Sequence, residues 1–121
     1  MGYRSEVAIK CEEKAYKLFE EVFLERELYI MPDKIYKDGD DYILYWEWAK
    51  WYECYEGVQA IIDVMNDLDD CGNKDGGYGY KFMRIGEDDN DTETRSNDWN
   101  IELWMIRKID IPDELEELES N

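Results

Sequence analysis

At 121 residues the chain is long enough for one domain with a real core, burying roughly two-thirds of its unfolded surface. It carries 14 basic against 32 acidic residues, a net charge of −18, and no histidine. That balance argues against direct binding to nucleic acid or anionic lipid, because both attractions need Lys and Arg, and it points to basic partners.

Residues 3–11 alternate, with Val7, Ile9 and Cys11 on one side and Glu6, Ala8 and Lys10 on the other, the pattern of a half-buried strand. In residues 12–25, Ala15, Leu18, Phe19 and Val22 recur at helical spacing, and Glu12 and Glu13 suit the first turn. Pro32 blocks any helix continuing from Leu28. Residues 34–37 are read as a short strand, and Asp38-Gly39-Asp40 as a hairpin turn. The stretch from Tyr42 to Tyr52 holds three of the five tryptophans and three of the ten tyrosines. Aromatic and β-branched residues without Gly or Pro predict a central strand there. A second helix is expected from Glu56-Gly57, with Val58, Ile61, Ile62, Met65 and Leu68 on one face and Gly72-Asn73 ending it. A fourth strand is expected over 78–85, an acidic loop over 87–98, and a fifth strand over 99–109, stopped at Pro112. The tail from Asp113 to Glu119 reads as a short helix or a frayed end.

The order β-α-β-β-α-β-β predicts an α+β, ferredoxin-like βαββαβ sandwich with one additional C-terminal strand. Residues 1–112 would form the domain and 113–121 an acidic tail. Both helices should lie on one face of an antiparallel sheet. Strict alternation would turn Val7, Ile9, Tyr42, Leu44, Trp46 and Trp48 toward the helices. It would leave Ile43, Tyr45, Ala49 and Trp51, with Trp104 and Ile106, on an open apolar face, a surface for a homodimer or partner unless the tail covers it.

Without histidine there is no imidazole base and no Ser-His-Asp arrangement, and Gly76-Gly77-Tyr78-Gly79 enters a strand where a phosphate loop would open a helix. Two carboxylates lying close are expected by chance among 32, so a non-enzymatic protein is expected. The run Glu87 to Glu93 has the oxygen density of a cation site but not the Gly and Glu spacing of an EF-hand, and a solvated loop is the default. Cys11, Cys54 and Cys71 are odd in number and unpaired in spacing, which fits reduced thiols. The N-terminus lacks the basic-then-apolar plan of a secretory leader, and no apolar run approaches the roughly 18 residues of a membrane span. A cytoplasmic protein with no metal and no cofactor is expected.

The placement of charge carries the functional reading. Asp63, Asp67 and Asp70 stack four and three apart on the polar side of the second helix, where like charges repel by a few tenths of a kcal/mol per pair. Asp67, Asp69 and Asp70 also sit at its C-terminus, where each anion costs about 0.3–1 kcal/mol. A chain selected for stability alone would put Lys there. Asp88, Asp89 and Asp91 concentrate charge in the loop. A rigid array of this kind can imitate the duplex, with its one charge per ~1.7 Å of axis, and occupy a basic groove.

The opening Met1-Gly2-Tyr3-Arg4-Ser5-Glu6-Val7 is similar to the start of a group of uncharacterised phage proteins of this size. Compactness, acidity and abundant aromatics likewise resemble phage proteins that block host restriction or CRISPR nucleases. The resemblance implies an inhibitor acting in the bacterial cytoplasm on a nucleic-acid-binding host protein, and it transfers no site residue. The partner-binding residues read from charge and exposure are Asp63, Asp67, Asp70, Asp88, Asp89, Asp91, Tyr45 and Trp51. The other reading is a homo-oligomeric structural or accessory protein that assembles through the aromatic sheet face.

Overall fold

The computed structural model describes residues 2–25, 28–74, 76–88, 90–101, 103 and 116–120. The elements run β1 (Ser5–Cys11), α1 (Glu13–Leu24), β2 (Lys34–Asp38), β3 (Asp41–Ala49), α2 (Glu56–Cys71), β4 (Tyr80–Gly86), β5 (Thr92–Ser96) and β6 (Glu116–Ser120). The strands form one sheet in the order β5-β4-β1-β3-β2-β6, with every pairing antiparallel. This α+β arrangement, an open antiparallel sheet with two helices, is compatible with the ferredoxin-like class.

Alternation along each strand builds the core row by row. Ile35 pairs with Leu44, Leu44 with Ile9, and Ile9 with Phe82, so one level of the sheet is apolar across its four inner strands. Ala15, Phe19 and Phe23 of α1 and Val58, Ile61, Met65 and Leu68 of α2 close over it. Gly57 lets α2 start close to the α1–β2 connection. A Cβ at that position would lie 2.5 Å from the Leu28 carbonyl oxygen and 2.9 Å from Ile30 Cβ.

The aromatic strand departs from strict alternation. Val7 pairs with Trp46 and Ser5 with Ala49, so two steps along β1 match three along β3. One extra residue in β3 makes a bulge, and a bulge reverses which side the following residues face. Trp46 stays in the core at 3% exposure, its indole N–H donating to the Ile30 carbonyl at 3.0 Å. Trp48, expected to face the helices, is 49% exposed. Trp51, expected on the open face, is buried at 9%, with its ring 5.1 Å edge-on from Trp46 and 6.1 Å from Phe82. Ala49, also assigned to the open face, packs against the helix-side core.

The second sheet face is not an open apolar surface. Ala8, Ile43, Met83 and Ile85 are all buried, and Leu103 packs with Ala8, Met83 and Ile85 and the half-buried Tyr45. The chain after β5 therefore contributes to covering the face that was expected to be free. Trp104 and Ile106 lie outside the described residues.

Three element assignments also change. The expected loop over 87–98 contains β5, which forms a hairpin with β4, because Thr92, Thr94 and Arg95 can pair where the charge count alone suggested solvent. The expected fifth strand over 99–109 is a turn at Trp99 and Asn100, and most of it lies outside the described residues. The tail, read as helix or frayed end, supplies β6, which pairs with β2 at the opposite edge of the sheet from β5. Two leucines three apart gave no period to separate these states. Among the described residues no helix is long and apolar enough to cross a membrane.

Because Trp51 lies in the core, Trp51→Glu should unfold the protein or lower its stability by about 3–5 kcal/mol. Chemical denaturation followed by circular dichroism would measure this; an unchanged midpoint would contradict the packing.

Candidate functional site

The helical layer carries many of the exposed acids among the described residues. In α2, Val58, Ile61, Met65 and Leu68 are buried, and helical geometry leaves Asp63, Asp67 and Asp70 exposed on the outer side. None of the three is in an ion pair among the described residues, although Asp63 accepts a hydrogen bond from Gln59 Nε2 at 3.0 Å. No basic residue stands in the last turn of α2, and the same holds for α1. The end of α2 is satisfied by neutral groups instead. Gly72, at φ 68°, donates its N–H to the Leu68 carbonyl, and Asn97 Nδ2 donates to the same oxygen at 3.1 Å.

Between the helices lies a groove of about 250 Å³. Leu18 and Val22 of α1, Val64 of α2, and Leu28 give it apolar walls, and Glu21, Glu25 and Asp67 also line it. The packing of α1 on α2 thus brings Asp67 together with two glutamates more than forty positions away in sequence. Glu21 and Glu25 were missed in the sequence. Their signal was legible, since they are anions at a helix C-terminus like Asp67 and Asp70, but only the first-turn acids of α1 drew notice. Apolar walls and carboxylates together suit a Lys or Arg side chain, whose aliphatic stem can lie on the walls while its head meets the acids.

The loop acids are differently placed. Asp91 takes both ends of the Arg84 guanidinium, Nη2 to Oδ1 at 2.8 Å and Nη1 to Oδ2 at 3.1 Å, and also accepts from the Tyr3 hydroxyl at 2.8 Å. The Arg84 guanidinium, with Tyr3, holds its carboxyl below the usual range. Glu93 pairs with the same guanidinium at 3.1 Å. Asp91 is thus a structural clasp on the β4–β5 hairpin, and its charge is met by Arg84 where a free array was expected. Asp88 is exposed, and its carboxylate accepts the Asn90 N–H at 2.9 Å within the turn. Asp89 lies outside the described residues. Asp69, one of the acids at the end of α2, is likewise held internally. It accepts from the Tyr80 hydroxyl at 2.7 Å and pairs with Arg95. Burial and that carboxylate push the Tyr80 phenol up.

Tyr45 and Trp51 do not share a partner surface. Tyr45 is half-buried on the second sheet face and donates its hydroxyl to Glu6, and burial followed by that contact pushes its phenol up. Trp51 is on the other side of the sheet, in the core. Among the described residues no group of three His, Cys, Asp or Glu side chains converges to hold a metal ion. No family model matches the chain, and neither a curated protein nor a solved structure matches it.

A carboxyl held below its ordinary range stabilises the fold above the unfolded value and loses that contribution as pH falls through the folded value. Asp91→Asn should therefore lower stability at pH 7 by about 1 kcal/mol or less, given its partial exposure. It should also flatten the loss of stability below about pH 4. Urea midpoints measured from pH 7 to pH 2.5 would show both effects.

Proposed function

We propose that this is a non-enzymatic acidic binding protein that seats its helical layer on the basic nucleic-acid-binding surface of a host defence complex. It would act as a phage-type inhibitor of the anti-CRISPR or anti-restriction kind. The observation that carries the reading is the outer face of α2. Asp63, Asp67 and Asp70 are exposed there in no ion pair among the described residues, and the Glu21, Glu25 and Asp67 groove lies beside them. Asp69 at the same helix end is neutralised by Arg95, whereas Asp63, Asp67 and Asp70 are in no ion pair among the described residues. A fully ferredoxin-like plan would supply the rigidity such an array needs, because both helices are fixed on a common sheet. The net charge of −18 would speed encounter with a basic groove and weaken binding as salt rises.

The test is affinity capture from bacterial lysate with identification of the retained proteins by mass spectrometry. A nucleic-acid-handling complex should be retained at low salt, released by ~0.5 M salt, and displaced by duplex DNA. Replacing Asp63, Asp67 and Asp70 together by Lys should weaken that retention at least about tenfold while leaving thermal stability unchanged or raised, since the helix C-terminus favours cations. Equal retention by the triple variant, or indifference to duplex DNA, would remove the proposal.

A further inference from the structure

A second cavity, which meets the acidic groove at Leu28, is lined by two bases and one acid. It measures about 690 Å³ and lies where the β3–α2 connection meets the α1–β2 connection and Arg4. That volume is in the range of small-molecule sites. Trp46 lines it from the core at 3% exposure, its polar edge already bonded to the Ile30 carbonyl. Tyr29 and Tyr55 line it from outside. Tyr29 is 91% exposed and sits at φ 50°, a left-handed conformation that residues other than glycine rarely hold. An aromatic side chain kept in water by strained backbone contributes nothing evident to the core.

The lining cations are Arg4 and Lys50, and neither forms an ion pair among the described residues. Arg4 uses one guanidinium nitrogen on the Trp48 carbonyl at 3.3 Å. Lys14, Lys34 and Lys74 are likewise outside any ion pair among the described residues, but Arg4 and Lys50 line one cavity together. One carboxylate, Glu56, also lines the cavity, so its formal charge is +1. That balance complements a single negative charge better than a double one.

We propose that this cavity binds a small aromatic monocarboxylate, with its ring among Trp46, Tyr29 and Tyr55 and its carboxylate toward Arg4 and Lys50. Aromatic walls with a few placed polar groups recognise a planar ring, and a guanidinium can take a carboxylate through two parallel N–H bonds. The site touches the acidic groove at Leu28 but shares none of its charged residues, so either proposal can fail without the other.

The chain supplies its own reporter. Cys54 is an exposed thiol on the cavity lining, and Cys71 is an exposed thiol at the end of α2, outside it. Indole-3-acetate is the probe, and alkylation of each thiol by iodoacetamide is followed by mass spectrometry. Saturating indole-3-acetate should slow alkylation of Cys54 at least threefold and leave Cys71 unchanged. Calorimetric titration should give a Kd at least tenfold lower than for neutral indole-3-acetamide. Lys50→Gln and Tyr29→Ala, both at exposed positions, should each raise that Kd at least fivefold with the circular dichroism spectrum retained. The proposal is overturned by equal slowing of both thiols, by no slowing of Cys54, by equal affinity for acid and amide, or by unchanged affinity in both variants. Tighter binding of adenosine monophosphate than of indole-3-acetate would overturn the assignment to a monocarboxylate.

Discussion

The contact between Trp46 and Trp51 is the joint on which this fold turns. The two indoles meet edge to face at 5.1 Å, with Phe23 against the first and Phe82 against the second. That cluster ties the central strand β3 to α1 and to β4, and Trp51 leads into the start of α2. It exists because β3 carries one residue more than β1 does opposite it. Without the bulge Trp51 would face away from the helices, and the connection to α2 would have no aromatic anchor. The Trp46 indole N–H on the Ile30 carbonyl brings the α1–β2 connection to the same place. The packing that closes the core therefore also shapes the 690 Å³ cavity beside it.

Lys10, Arg84 and Arg95 sit where strands need holding. Arg84 grips Asp91 and Glu93, and Arg95 reaches from β5 to Asp69 on α2. An edge strand with little apolar area, whose residues are mainly Thr, Glu, Arg and Ser, is thus fastened by charge to the sheet and to the helical layer. Lys10 does the same for Asp38 at the β2–β3 hairpin. Acids near these points serve the fold. Among the acids left over are Asp63, Asp67 and Asp70 on the outer face of α2 and Glu21 and Glu25 along the groove it shares with α1. In a molecule that repels itself at −18, that division separates charge held in internal pairs from charge left to solvent.

Much of the layout was legible because hydrophobic period survives burial. The stripe Val58, Ile61, Met65 and Leu68 fixed α2 and, by subtraction, the exposed positions of Asp63, Asp67 and Asp70. The pair Val7 and Ile9 placed β1, and Asp38-Gly39-Asp40 placed the hairpin. Parity failed beyond Trp46, since a bulge is a property of two paired strands and neither strand reveals it alone. Thr92–Ser96 failed for a related reason: a polar edge strand is stabilised by its neighbour and by Arg84 and Arg95, not by its own pattern. Glu116–Ser120 is a strand only because β2 offers an unpaired edge to it.

The sequence by itself determined the charge balance, the two amphipathic helices, the α+β class and the outward face of α2, because composition and local period act within one element. Only the tertiary structure decided which acids are spent internally, which tryptophan is core, and that Glu21 and Glu25 join Asp67 at one groove. Those outcomes depend on distances between elements far apart in the chain, and such distances are set by packing, not by any local run of residues.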